Sequence, residues 1–142
     1  MNIRKADKKD ASAICKISCE DLGYECDDEF VLRRLIELDN RREIVFVAET
    51  DNIVVGYIHA EVYRTLYFDS MINILGLAVF ADYRRRGVGK ALLHQAEKWA
   101  KELGINKVRL NSGGSRKEAH EFYRAMGYDN EKEQIRFMKS LV

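Results

Sequence analysis

The stretch Arg84-Arg85-Arg86-Gly87-Val88-Gly89-Lys90-Ala91 places four cations and two glycines between an apolar run and a long amphipathic pattern. Glycines two apart let a backbone come close to a ligand. The first N–H groups of a helix have no internal partners, and the helix dipole adds positive charge beside them. Such a loop is an anion site whose charge suits a pyrophosphate. Position excludes two familiar phosphate loops. A Walker A loop ending at Gly89-Lys90 needs Gly at 84 and Ser or Thr at 91, where this chain has Arg84 and Ala91. A dinucleotide fingerprint from Gly87 needs a small residue where Leu92 stands. What remains is R-x-x-G-x-G after the strand Leu77-Ala78-Val79. Read alone, the same residues also fit a basic, solvated helix start.

The elements that must carry this loop follow one another with short turns. Asn2 to Ala6 reads as a strand, and Asp7 as the cap of a helix with Ala11, Ile14, Cys15 and Ile17 inward. Asp27 or Asp28 caps a second helix carrying Val31, Leu32, Leu35 and Ile36. Arg42–Thr50 and Ile53–Tyr63 form a hairpin across Asp51-Asn52. In the second of these strands His59, Glu61 and Tyr63 face one way, and Ile58, Ala60 and Val62 the other. Met71–Phe80 is almost continuously apolar, as a strand buried on both faces would be. The helix after the loop has the stripe Val88, Leu92, Ala96, Trp99 and Leu103, with Gly104 as its left-handed cap. Ile105–Asn111 reads as a strand. Ser115 opens a last helix with Ala119, Phe122, Tyr123 and Met126 on one face, closed by Gly127. Gln134–Leu141 alternates enough for a final strand. The order β-α-α-β-β-β-α-β-α-β predicts an α+β (α/β) sandwich, with a mixed sheet of six to seven strands and about four helices on both faces.

Composition narrows the function classes. The 142 residues suit one domain, residues 1–142, and 46% hydrophobic with 33% charged residues is a globular balance. The 24 Lys+Arg and 23 Asp+Glu leave a net charge of +1, so no overall field favours nucleic acid. There is no proline, hence no Pro-rich linker. The start Met1-Asn2-Ile3-Arg4-Lys5 lacks a leader's apolar run, and no segment is apolar enough to span a bilayer. The expectation is a cytoplasmic protein with no membrane partner. Cys15, Cys19 and Cys26 are too few and unevenly spaced for a disulfide framework or a standard zinc motif, and His59, His94 and His120 are scattered. No metal is expected, and the cysteines read as small buried hydrophobes on one helix.

Arg84-x-x-Gly87-x-Gly89, five residues after Val79, resembles the acyl-CoA pyrophosphate loop of the GNAT superfamily of N-acetyltransferases. Asn111 at a strand end, followed by Ala119-His120-Glu121-Phe122-Tyr123-Arg124-Ala125-Met126-Gly127-Tyr128, resembles the family's A-x-x-F-Y-x-x-x-G-[FY] helix. The element order matches from Ile3 to Leu141, so the resemblance covers essentially the whole chain. One departure is Ala81, where many members carry proline three residues before the loop. The resemblance implies a GNAT fold and an enzyme moving an acetyl group from acetyl-CoA, as co-substrate, to the primary amine of a small molecule or peptide. It implies that the backbone of Leu77, Ala78 and Val79 pairs with the pantetheine arm, where members splay this strand from the next. It places the pyrophosphate on the N–H groups of Arg85, Arg86, Gly87, Val88, Gly89, Lys90 and Ala91, with Arg84 opening the loop. Asn111 and the last helix would line the far side, and Tyr123 would stand beside the thioester sulfur. Members are often dimers, which makes a homodimer an expectation.

Elementary energetics limits these roles. A phenol of pKa about 10 passing a proton to a thiolate of about 8.5 goes uphill by roughly 2 kcal/mol, so Tyr123 is better suited to donating a hydrogen bond to the departing sulfur. An alkyl ammonium near pKa 10.4 must lose a proton before it attacks. Glu61 is the candidate base, directly or through water. The segment Glu20–Glu29 holds six acids and no base and could steer a cationic amine, or merely complement a helix dipole. Two other classes are a non-catalytic acyl-CoA-binding regulatory module, which would keep the loop without turnover, and a nucleic-acid binder using Arg84–Arg86 with Arg116 and Lys117. The near-zero net charge speaks against the second.

Overall fold

A computed structural model of the chain describes residues 1–142. They divide into two compact units, Met1–Leu110 and Asn111–Val142. The first opens with β1 (Asn2–Lys5), a 3-10 turn (Lys8–Asp10), α1 (Ala11–Ile17), a π turn (Ser18–Leu22) and α2 (Asp28–Ile36). It continues through β2 (Glu43–Thr50), β3 (Ile53–Tyr63), β4 (Met71–Val79), α3 (Val88–Glu102) and β5 (Val108–Leu110). The second unit contains α4 (Lys117–Ala125).

The sheet runs β1-β2-β3-β4-β5, antiparallel up to β4, with β5 parallel to β4. Asp51 and Asn52, at φ 53° and 64°, make the two-residue turn between β2 and β3 that matches strand twist. The parallel pair requires a crossover, which α3 supplies. The class is thus the α+β arrangement with a mixed sheet expected from sequence, but five strands form rather than six to seven. Residues 134–141 adopt no regular structure, and Ile135 and Phe137 are 81% and 88% exposed. A strand exists only as part of a ladder, and the apolar pair Phe137-Met138 also breaks the alternation. The strand expected over Ile105–Asn111 shortens to Val108–Leu110. The Ile105 N–H is spent on Ala100 O (2.9 Å), because Gly104 at φ +73° wraps the chain back over the end of α3. Leu103 is therefore on the cap and 45% exposed, not in the core stripe.

Core packing follows strand alternation. Val45, Val47, Tyr57 and Ala78 on one face bury against Ile14 and Ile17 of α1, with Val31 and Leu35 of α2 alongside. On the other face Gly56 admits α3: a Cβ there would lie 3.0 Å from Ala78 O, 3.1 Å from Val88 Cγ1 and 3.2 Å from Leu92 Cδ1. Asp7 does cap, but it caps the 3-10 turn, accepting from Lys9 N, while Asp10 returns a bond to Asp7 N at 2.8 Å. Asp10, 3% exposed, is clamped bidentately by Arg4 at 2.7 and 2.8 Å. Asp27 caps α2 through Phe30 N (2.8 Å).

Candidate functional site

β4 is the element on which the site is built. Its partner β5 pairs only as far as Ile74↔Leu110, while β3 continues along it to Gly56↔Val79. Leu77, Ala78 and Val79 are therefore laddered on one side only, and β4 presents the edge away from β3. The divergence begins at a bulge. His59 pairs with Gly76 and Ala60 with Ile74, so Leu75 is the extra residue and is half exposed. That is why the run Met71–Phe80 is not buried on both faces throughout.

A 3-10 turn, Ala81–Tyr83, then leads into the loop. Arg85 at φ 62° and Gly87 at φ 82° turn the backbone twice through the left-handed region, and α3 starts at Val88. Arg85 carries a side chain in this conformation, at a cost of about 1–2 kcal/mol. Ala91 N donates to Gly87 O at 3.0 Å, closing the first helical turn. This corrects the expectation that the donors run through Ala91, since its N–H is already used within the helix. The N–H groups of Val88, Gly89 and Lys90 precede the first full turn and have no helical partner. Arg86 lies over the Tyr83 ring at 5.1 Å, and Arg85 and Lys90 are exposed.

Asp21 also reaches this edge. Its carboxylate accepts from Val79 N at 3.3 Å and is ion-paired with Arg84, and its side chain is 7% exposed. The π turn Ser18–Leu22, closed by Gly23 at φ 75°, is what aims it there. Ser18 Oγ anchors that turn, donating to Ile14 O and meeting Tyr57 Oη, both at 2.8 Å. Burial pushes the Tyr57 phenol above its ordinary range. Asp21 is thus not a free member of the acidic rim read from Glu20–Glu29. No periodicity encodes such a contact, because it depends on one extra residue in a helical turn.

Glu61 lies on the sheet face that it shares with His59 and Tyr63, as the alternation predicts. Asn73 Nδ2 donates to Glu61 Oε2 at 2.8 Å, and Arg109 donates to Asn73 Oδ1 at 2.7 Å. Arg109 also lies 4.6 Å from the Tyr63 ring centroid, and Glu43 meets His59 Nε2 at 2.9 Å. The result is a half-buried polar cluster beside the end of β4–β5 pairing. Glu61 pairs with Asn73, and Leu77 pairs with Ile58, so the Glu61 backbone lies roughly 10 Å along β3 from the level of Leu77. Glu43, Asn73 and Arg109 escape a sequence reading because only strand register places them beside Glu61.

The second unit fixes Tyr123 by its own local geometry. α4 starts at Lys117 with Arg116 at its cap and no side-chain capping bond, so Ser115 does not open it. It ends in a Schellman turn: Gly127 at φ 93° donates to Arg124 O (3.0 Å), and Tyr128 N donates to Tyr123 O (2.9 Å). The rings of Tyr123 and Tyr128 come to 6.0 Å, and those of Phe122 and Tyr123 to 5.3 Å. Asn111 follows β5 directly.

Comparison with known proteins agrees with this architecture. The family model described as "Acetyltransferase (GNAT) family" matches residues 11–128. An uncharacterized N-acetyltransferase of Chlorobaculum tepidum is 33% identical over 131 residues, 89% of this chain and 74% of that protein. The aminoalkylphosphonate N-acetyltransferase of Salmonella typhimurium is 29% identical over 145 residues, 98% of this chain and 90% of that one. Among solved structures, the aminoglycoside 6'-N-acetyltransferase AAC(6')-IG of Acinetobacter haemolyticus superposes with a TM-score of 0.84 at 18% identity, covering 100% of both chains. No helix is long and apolar enough to cross a membrane.

Proposed function

Because the chain belongs to the GNAT acetyltransferase family, we propose that it transfers an acetyl group from acetyl-CoA to the primary amine of a small molecule, by direct attack in a ternary complex. The observation that carries this reading is the one-sided ladder at Leu77–Val79 running straight into the unpartnered N–H groups at the start of α3. An extended arm with amide groups fits the edge, and a pyrophosphate fits the cradle. Arg84, Arg85 and Lys90 supply charge there. Asp21 holds Val79 N–H and Arg84 until the cofactor displaces it.

In this reading the two units act as one domain, which a family match running across the Leu110–Asn111 boundary supports. Asn111 lines the cofactor, and Tyr123 donates a hydrogen bond to the sulfur as the C–S bond breaks. Glu61 takes the proton that the ammonium must lose, and Asn73 and Arg109 orient its carboxylate. None of the cysteines lies on the β4 edge or the loop, so the route needs no acyl-enzyme. Small amines are the favoured acceptors, since relatives are named for aminoalkylphosphonate and aminoglycoside acetylation. Calorimetric titration of acetyl-CoA tests the cofactor site: wild type binds one equivalent. Gly87→Val, which forbids the left-handed turn, loses binding by tenfold or more. Equal binding by both would remove the loop from the site.

A further inference from the structure

None of Cys15, Cys19 and Cys26 is on β4 or the arginine loop, and the fold gathers them. Cys15 and Cys19, four residues apart, fall on one side of α1 and its π turn, and the chain then brings Cys26 back against them. All three Sγ atoms lie within 4.8 Å of one another, with Cys15–Cys26 at 3.0 Å and Cys19–Cys26 at 3.8 Å. All three thiols are free. Sequence spacing alone argued against a metal because it shows only C-x3-C-x6-C; the convergence is made by the return of the loop ahead of α2.

We propose that Cys15, Cys19 and Cys26 form a binding site for a thiophilic divalent cation, zinc(II), that ties α1 to the segment entering α2. Tetrahedral zinc with Zn–S bonds of about 2.3 Å sets its sulfurs about 3.8 Å apart. The Cys19–Cys26 pair already has that separation, and the Cys15–Cys26 pair reaches it by opening about 0.8 Å, a small side-chain rotation. Binding converts three thiols and one Zn2+ into a zinc tris-thiolate of charge −1 with release of three protons. The fourth position is open to water.

The surroundings favour a cation over a disulfide. Six acids and no base occupy residues 20–29, a field that draws in a divalent cation but opposes a bare thiolate. A disulfide would also use two sulfurs and leave the convergence of the third unexplained.

The test uses the full chain, reduced and metal-free, titrated with Co2+ as a spectroscopic probe and then with Zn2+. The expected result is a sulfur-to-cobalt charge-transfer band saturating at one equivalent and abolished by stoichiometric Zn2+. Proton release should approach three per ion, and Tm should rise by several degrees with Zn2+. Cys19→Ser and Cys26→Ser should each weaken Co2+ binding at least tenfold. Cys19→Ser, on the surface, should keep the metal-free wild-type Tm, which shows that it still folds. No charge-transfer band in the wild type, or equal binding by the serine variants, overturns the proposal. So does a Cys15–Cys26 disulfide in air with no metal uptake after reduction.

Discussion

The residue with the most to reveal is Asp21, because it already bonds the groups that a cofactor would need. If its carboxylate competes for Val79 N–H and Arg84, Asp21→Asn removes a negative charge from the pyrophosphate site and should tighten acetyl-CoA binding several-fold by calorimetry. Unchanged affinity would mean that the contact is incidental. Tyr123→Phe keeps the ring packing on Tyr128 and deletes one donor. A kcat loss of about 10–100-fold with little change in the KM for acetyl-CoA is expected. Glu61→Gln should lower kcat by about 100-fold or more, and an unaltered kcat would eliminate it as the base. Residue types and chain order singled out Tyr123, Glu61 and the arginine loop as candidates in the sequence. Asp21 was legible only as charge, since its aim depends on a π turn.

At the scale of elements, α3 can dock where the loop needs it because Gly56 has no side chain. Gly56→Ala puts a Cβ 3.0 Å from the Ala78 carbonyl, a backbone atom that cannot swing away. A loss of about 1–3 kcal/mol in denaturant unfolding is expected, together with weaker acetyl-CoA binding. The start of α1 rests on the Arg4–Asp10 pair. Desolvation pushes the Asp10 carboxyl up, but the Arg4 and Asp7 hydrogen bonds outweigh it and hold it below the usual range. A lowered folded-state pKa means that this stability is full above about pH 4 and is lost as pH falls through the folded value. Arg4→Ala strands a buried carboxylate and should cost about 3–5 kcal/mol at pH 7, with less cost in acid. Equal cost at both pH values would contradict this assignment. Helix and hairpin positions were readable from periodicity, capping acids and the Asp51-Asn52 turn. The β4 bulge was not, because it arises from register between β3 and β4 rather than from either strand's pattern.

Across the whole molecule, the sequence carried the class and the order of elements, because strand alternation, helix stripes and the left-handed glycines at 87, 104 and 127 agree with one another. It overcounted strands, since Gln134–Leu141 has an alternating start but no ladder to join. It also could not show that Cys26 returns to α1, which is a tertiary fact. The parts belong to one reaction only if the open β4 edge, the arginine loop and Tyr123 serve the same cofactor. The measurement that tests this most directly is release of CoA thiol from acetyl-CoA, followed with and without amines. The panel would hold polyamines, aminoglycosides, aminoalkylphosphonates, amino acids and lysine-bearing peptides. The account predicts release that depends on at least one small amine and falls with Tyr123→Phe. Release no faster than the no-amine control across the panel, by protein that binds acetyl-CoA, would contradict it.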